Sequence, residues 1–308
     1  MIKVFIDGSA GTTGLRIRER LSDRKDLSLV ILPEEIRKDP AARADALNSA
    51  AVSFLCLPDA AAIEAASFVT NPDAVIIDTS TAHRVAEGWT YGMPELAGQR
   101  EKLKTAKRVA NPGCHATGFI SLVAPLAEAG LIAKDARLSC FSLTGYSGGG
   151  KKMIAEYEAP DMDPLYQAPR QYGLGQTHKH LPEMAKICGL DHAPVFCPIV
   201  APYYAGMEVT VPLTPADTSA SVDEIKAIYR EYYQSGLIRF AEETDENGFL
   251  SAGAFAGRDD LEVSVFGNEE RILLVSRFDN LGKGASGAAI QNMNIVLGLD
   301  EKTGLVVK

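Results

Sequence analysis

The chain has 308 residues, of which 46% are hydrophobic and 23% charged, with a formal net charge of −9. This is globular composition for one large or two ordinary domains, and the acidic balance excludes a general nucleic-acid surface while leaving room for a local basic pocket. No apolar run approaches the roughly 20 residues that span a bilayer, and MIKVFIDGSAG at the start lacks the basic region and long apolar core of a signal peptide, so a cytoplasmic protein is expected.

KVFID (3–7) predicts a strand. GSAGTTG follows, and LRIRERLSDR then has helical spacing at Leu15, Arg18 and Leu21. LSLVIL (27–32) is a second strand, and DPAARADALNSA a helix with Asp39 as cap and Pro40 at its first position. VSFLCL (52–57) and AVIID (74–78) are further strands, with DAAAIEAASFV between them as a helix. PELAGQREKLKTAK reads as helical, and RVAN (108–111) ends a fifth strand. Continuous apolar strands alternating with helices predict a parallel sheet covered on both faces, a Rossmann-like doubly wound α/β domain that binds ligands beyond the carboxyl ends of its strands.

Those strand ends carry the unusual residues. Gly8, Gly11 and Gly14 follow the first strand and open the first helix, with Thr12 in the same turn. Glycines there let a pyrophosphate approach the backbone, and the helix start supplies N–H donors, which predicts a dinucleotide site. After the second strand, Glu34 or Glu35 suits a ribose 2′-hydroxyl, whereas Arg37 and Lys38 suit a 2′-phosphate, so these residues leave the choice of NAD or NADP open.

The five cysteines form no CxxC pair, so reduced thiols are expected, with Cys56 and Cys140 in strand-like runs as core residues. Cys114 differs. It follows the fifth strand in NPGCHATGF, and the run behind it is helical, with Pro125 expected to kink the helix or shift its boundary. A thiol at a helix N-terminus is stabilised as thiolate, so Cys114 is the candidate nucleophile. His178 and His180 in THKHLPEM precede a helix with Pro182 near its start. In an extended segment the two would point to one side and could share a site, and without companion ligands a metal centre is not expected. Arg84 in DTSTAHR can clamp an anion. GYSGGGKK (145–152) is either a glycine nest with Lys151 and Lys152 for phosphate or a flexible surface loop.

From about residue 114 the pattern changes. ARLSCFSLTG, VFCPIVAP, GMEVTVPL, LEVSVF and RILLVSRF are strands, the last two joined by a hairpin-like GNEE, and SVDEIKAIYREYYQSG is an amphipathic helix. They predict an α+β catalytic domain with a mixed or antiparallel sheet and helices on one face. YEAPDMDPLYQAPRQYGLGQ is long for a loop, which favours a functional or packed role.

GSAGTTG, YGMPEL, NPGCHAT, SGGGKK, HKHLPE and DNLGKGASGAAIQNMNIVLG occur in an order that resembles the short form of the N-acetyl-gamma-glutamyl-phosphate reductases, from residue 6 to about residue 298. The resemblance implies NADPH-dependent reduction of N-acetyl-gamma-glutamyl phosphate to the 5-semialdehyde and phosphate, in arginine biosynthesis. Cys114 would be the nucleophile, and His178 (slightly favoured) or His180 the acid–base. It also implies a C-terminal helix returning to the nucleotide domain, hence domains at 1–113 with 282–308, and at 114–281. Asn280, Lys283 and Gly284 are carried over as cofactor-side residues with Ser147 and Gly148, and the NADPH of the family sides with Arg37 and Lys38. Arg84, Asn111 and Lys151 are the expected substrate and phosphate residues. The chain departs from the family at His115, where an aromatic is more usual, and at DTSTAHR, which leaves the role of His83 open. A small-molecule substrate and a homo-oligomer, dimer or tetramer, are expected, with no nucleic acid or membrane partner. The alternatives are an aspartate-semialdehyde dehydrogenase-like enzyme and a nucleotide-binding sensor without chemistry.

Overall fold

The computed structural model describes residues 1–9 and 11–308, and divides into two compact units. One comprises Met1–Pro112 with Ala285–Leu305, the other Gly113–Gly284 with Val306–Lys308. The first holds β1 (Ile2–Asp7), α1 (Thr12–Ser22), β2 (Leu27–Val30), α2 (Pro40–Ser49), β3 (Val52–Leu55), α3 (Asp59–Ser67), β4 (Val75–Asp78), β5 (Thr90–Tyr91), α4 (Gln99–Thr105) and β6 (Arg108–Ala110). Its sheet runs β2-β1-β3-β4-β6-β5 with every pairing parallel. Both faces are buried, as continuous apolar strands require. Val4, Ile6, Phe54 and Ile77 pack with Ile17 and Leu21 of α1, whereas Phe5, Leu55 and Ile76 pack with Leu47, Ala62 and Ala65 of α2 and α3. The winding direction reverses at β1, which opens a crevice beyond the ends of β1 and β3.

Local chemistry explains the helix starts. The Asp39 carboxylate accepts from Ala42 N–H at 2.8 Å, and Pro40 opens α2 where no donor is lost. The helix expected over PELAGQREKLKTAK is shorter, because Gly98 sits in the left-handed region (φ 67°) and α4 begins only after it.

The second unit holds α5 (Cys114–Glu128), β7 (Ser139–Gly145), α6 (Gly150–Tyr157), β8 (Arg170–Gln171), α7 (Leu181–Cys188), β9 (Val195–Ala201), β10 (Met207–Leu213), α8 (Val222–Tyr232), β11 (Ile238–Phe240), β12 (Leu261–Asn268) and β13 (Arg271–Phe278). Its sheet, β11-β12-β13-β10-β7-β9-β8, is mixed: β11–β12 and β7–β9 are parallel and the remaining pairs antiparallel. α5 presses onto one face so closely that a Cβ at Gly118 would lie 2.3 Å from Val209 Cγ2. The last helix, α9 (Gly287–Val296), belongs to the first unit and puts Ala289, Ile290 and Met293 into its core. Among the described residues no helix is long and apolar enough to cross a membrane.

Two stretches that the sequence left with alternatives take these forms. α5 runs through Pro125 without ending there. The proline lacks the N–H that would bond Ser121 O, and the Tyr233 hydroxyl, just past α8, donates to that carbonyl at 2.6 Å instead. The GYSGGGKK stretch is not a flexible loop: a 3-10 turn at Tyr146–Gly149 leads directly into α6.

Candidate active site

In the first unit, the turn after β1 requires glycine at two positions, Gly8 and Gly14. Gly8 has φ +85°, and a Cβ there would meet Cys56 O at 2.3 Å; a Cβ at Gly14 would meet Gly8 O at 2.5 Å. Gly11 N–H donates to Gly8 O at 3.0 Å, closing the turn, and α1 starts at Thr12 with no side-chain cap and no acid in its first turn. Its N-terminus is therefore suited to an anion. Beside it lies a cavity of about 210 Å³ lined by Asp7, Gly8 and Ser9 together with Arg37, Lys38 and Arg43. Arg37 binds Glu34 at 2.6 Å, yet its buried Nε has no hydrogen-bond partner among the described residues. Arg43 pairs with buried Asp7 and with Glu64, each at 3.0 Å, while burial pushes the Asp7 carboxyl above its ordinary range against the pull of Arg43. A glycine cradle with three cations beside it, Arg37 carrying an unsatisfied buried donor at Nε, fits the phosphates of a dinucleotide.

The second unit builds the cysteine site. Cys114 is the first residue of α5, after Gly113 in extended backbone (φ −80°, ψ 147°), and no side chain caps the helix. The positive end of the helix dipole therefore bears on the sulfur. Gly113 N–H donates to Glu183 Oε1 at 2.9 Å, and this carboxylate, in the first turn of α7, is 1% exposed. The glutamate of HKHLPE thus holds the turn of NPGC. His180 is the N-cap residue of α7 with helical backbone (φ −87°, ψ −12°), so the histidine segment is a turn rather than the extended stretch expected. The two rings still share a side, 4.7 Å apart and perpendicular. His180 N–H donates to His178 Nδ1 at 3.2 Å, so neutral His178 carries its proton on Nε2.

His115 completes the cluster, its ring 5.6 Å from both histidines. It is buried, with Nδ1 2.7 Å from Ser142 Oγ and Nε2 2.6 Å from the Tyr172 hydroxyl. Burial, with His178 adding, lowers its pKa to about 3, so it is neutral under ordinary conditions. Burial and then the charge of Cys114 raise the Tyr172 hydroxyl above its ordinary range. At Gly284 the backbone passes so near that a Cβ would lie 2.9 Å from Cys114 Cβ. Burial pushes the Cys56 thiol up to about 12 and Cys140 and Cys188 higher still, which keeps these three protonated.

The remaining candidates fall into two groups. Lys151 is exposed in the first turn of α6, behind the glycine-rich turn that includes Gly148. The others are held within the protein. Arg84 donates through Nε to Asn111 O at 3.0 Å and through Nη2 to Thr79 O at 3.2 Å, tying the ends of β4 and β6. Asn111 gives Nδ2 to Ala285 O and accepts from Asn292 Nδ2, so both ends of its amide are used inside the first unit. Asn280 accepts from Gly206 N–H and donates to buried Ser147 Oγ. Lys283 is buried at 1% exposure in the π-turn Gly282–Ser286. His83 stacks on Trp89 and pairs with buried Asp78 at 2.6 Å, which gives that departure from the family a local structural place. Sequence reasoning missed Arg43, Tyr172 and the role of Glu183. Glu183 lay inside the quoted HKHLPE, Arg43 inside a stretch read only as helix, and Tyr172 in a segment without periodicity.

Residues 33–106 match the family described as semialdehyde dehydrogenase, NAD binding domain, and residues 114–280 that described as semialdehyde dehydrogenase, dimerisation domain. An N-acetyl-gamma-glutamyl-phosphate reductase 2 from Nostoc is 44% identical over 98% of this chain and 99% of its own length. The N-acetyl-gamma-glutamyl-phosphate reductase of Brucella ovis is 46% identical over 96% and 99%. Among solved structures, aspartate semialdehyde dehydrogenase II from Vibrio cholerae superposes with a TM-score of 0.71 at 16% identity, over 97% of this chain and 98% of that one, which is a likeness of fold. With relatives at 44% and 46% identity over nearly the whole length, the chain belongs to the N-acetyl-gamma-glutamyl-phosphate reductase family of semialdehyde dehydrogenases.

Proposed function

We propose that this chain is an NADPH-dependent reductase that converts N-acetyl-gamma-glutamyl phosphate to N-acetylglutamate 5-semialdehyde and phosphate, a step of arginine biosynthesis. The observation that carries this is Cys114 at the uncapped start of α5, joined through Glu183 to the histidine-bearing turn, in a chain whose relatives bear that name.

Cys114 Sγ attacks the acyl carbon; as the C–S bond forms and collapses the adduct, the C–O bond to phosphate breaks and a thioester remains. Bound NADPH supplies the hydride that reduces the thioester carbon. His178, with its proton on Nε2 when neutral, donates a hydrogen bond to the oxyanion that hydride addition leaves, and the oxyanion collapses as the C–S bond breaks, releasing the semialdehyde and the Cys114 thiolate. His180, buried at the cap of α7, holds the turn that aims His178. Lys151 and the glycine-rich turn before it suit the departing phosphate. Arg84 and Asn111 brace the turn preceding the cysteine, and Asn280, Ser147, Lys283 and Gly284 shape its surroundings. Gly8, Gly11, Thr12 and Gly14 cradle the pyrophosphate, while Arg37, Lys38 and Arg43 read a 2′-phosphate, which favours NADPH over NADH.

The enzyme works in the cytoplasm as a homo-oligomer. The sheet of the second unit carries α5 on one face, and on the other leaves Phe141, Val195 and Leu273 exposed at 43%, 57% and 41%, a surface suited to a second copy.

The test is phosphate-dependent reduction of NADP by N-acetylglutamate semialdehyde at the nicotinamide absorbance, with aspartate semialdehyde and NAD as controls. Strong activity that vanishes in Cys114→Ala is expected. Nucleotide binding without turnover of any semialdehyde would overturn the assignment.

A further inference from the structure

Beside Cys114 a turn folds around one buried carboxylate. Asp279 is fully buried, and its side chain accepts three backbone N–H groups: Leu281 at 2.7 Å and Gly282 at 3.2 Å on Oδ1, and Gly257 on Oδ2. Its own carbonyl accepts from Gly284 N–H at 3.0 Å. Aspartate favours this local bonding to amides that follow it in the chain. The carboxylate therefore both closes the turn that ends at Gly284 and ties it to the Gly257 backbone, all within the second unit. The turn has no slack at either glycine. A Cβ at Gly282 would meet Arg258 O at 1.9 Å, and a Cβ at Gly284 would meet Cys114 Cβ at 2.9 Å and Phe278 Cε2 at 3.2 Å. The Gly284 backbone thus lies against the methylene of the nucleophile, and where one more carbon has no room, a larger sulfur has none.

We propose that Asp279 is a positioning residue for Cys114: it folds its turn so that Gly284 covers one face of the Cys114 methylene and confines the sulfur to a single rotamer. No bond to Asp279 is made or broken in the reaction. What it supplies is direction, because attack requires the sulfur within about 3–3.5 Å of the acyl carbon and aligned with it. The chemistry of the turn calls for a carboxylate. Hydrogen bonds to an ionised acceptor are the strong ones, and both oxygens are in use. An amide has one acceptor oxygen, so it can serve Leu281 and Gly282 or Gly257, but not both sides. The role rests on Cys114 as the nucleophile of the proposed function but not on which acyl phosphate is reduced.

Two measurements on the full chain test it. Three-bond couplings in cysteine-labelled protein read the side-chain rotamer of Cys114 by NMR, with the resonance assigned by its loss in Cys114→Ser, and need no substrate. The wild-type couplings should be those of one rotamer, and those of Asp279→Asn should be averaged over more than one. Averaged couplings in the wild type, or unchanged ones in a folded Asp279→Asn, would overturn the proposal, since a merely structural aspartate lowers Tm without moving them. Steady-state kinetics is the second. Gly284→Ala puts a carbon 2.9 Å from Cys114 Cβ. A misplacement near 1 Å at a reacting atom costs roughly 10²-fold, so kcat should fall by about that much with the KM for the acyl phosphate little changed. Asp279→Asn leaves that space open and loses the acceptor on one side, so its kcat should fall roughly tenfold. Wild-type kcat in both variants, or a loss confined to KM, would show that the turn does not aim the nucleophile. If the wild-type chain turns over no semialdehyde, the functional assignment fails while the couplings still decide this one.

Discussion

Glu183→Ala isolates how the nucleophile is presented. The Glu183 carboxylate is almost fully buried and accepts from Gly113 N–H at 2.9 Å, one residue before Cys114. Hydrogen bonds to a charged group contribute about 1.5–3 kcal/mol, and truncating the acceptor leaves a buried N–H unsatisfied at a cost of about 1–3 kcal/mol. For a unit of this size each kcal/mol moves Tm by about 2–4 °C, so a fall of roughly 2–12 °C is expected. The larger effect is on chemistry: a misplacement near 1 Å at a reacting group costs roughly 10²-fold. Glu183→Gln keeps an acceptor without the charge and should fall between wild type and alanine in both quantities. Calorimetry and steady-state kinetics on the two variants, with NADPH affinity as an internal control, make the comparison. Wild-type kcat at a lowered Tm would refute the positioning argument and leave the bond as a strut.

Arg37→Ser should weaken NADPH binding about tenfold or more while changing NADH binding little, because a 2′-phosphate is the group that distinguishes the two; titration calorimetry with both nucleotides measures the ratio, and an equal loss for both would remove Arg37 from that role. Stability should fall in acid through His115. Its folded pKa of about 3 lies below its ordinary 6.5, so between those values the unfolded chain binds a proton that the folded chain does not. The stabilisation is complete above about pH 6.5 and declines by about 1.4 kcal/mol for each unit below it, down to about 3. Urea unfolding at pH 7.5 and 5.5 should show a smaller pH effect in His115→Phe than in wild type, and equal effects would place the acid sensitivity elsewhere.

What the chain announced beforehand was what local chemistry writes into a short window. Asp39-Pro40 starts a helix, glycines spaced by three mark the turn after β1, and a cysteine after Asn-Pro-Gly opens α5. Each is settled within a few residues. What stayed hidden depends on partners distant in sequence. Pro125 read as a kink or a shifted boundary, and the hydroxyl that replaces its missing donor comes from distant Tyr233. Arg84 read as an anion clamp, and the carbonyls of Asn111 and Thr79 that it binds are set by the sheet. His178 and His180 were placed on one side for the wrong reason: a turn, not strand alternation, brings their rings together. β5, β8 and β11, at two or three residues, are too short to show any period.

Two tyrosine hydroxyls that reach backbone carbonyls of α5 bind its mobility to that of α8. Tyr229 donates to Leu122 O and Tyr233 to Ser121 O, so the middle of the cysteine-bearing helix is completed by groups at the far end of another element. With a proline at residue 125, the Ser121 carbonyl has no helix N–H of its own, and fraying of α8 strips it of the hydroxyl that replaces one. Amide exchange should therefore report the two helices opening as one cooperative unit. A lesion at Tyr233, more than a hundred residues along the chain from the nucleophile, would surface as faster labelling of Cys114.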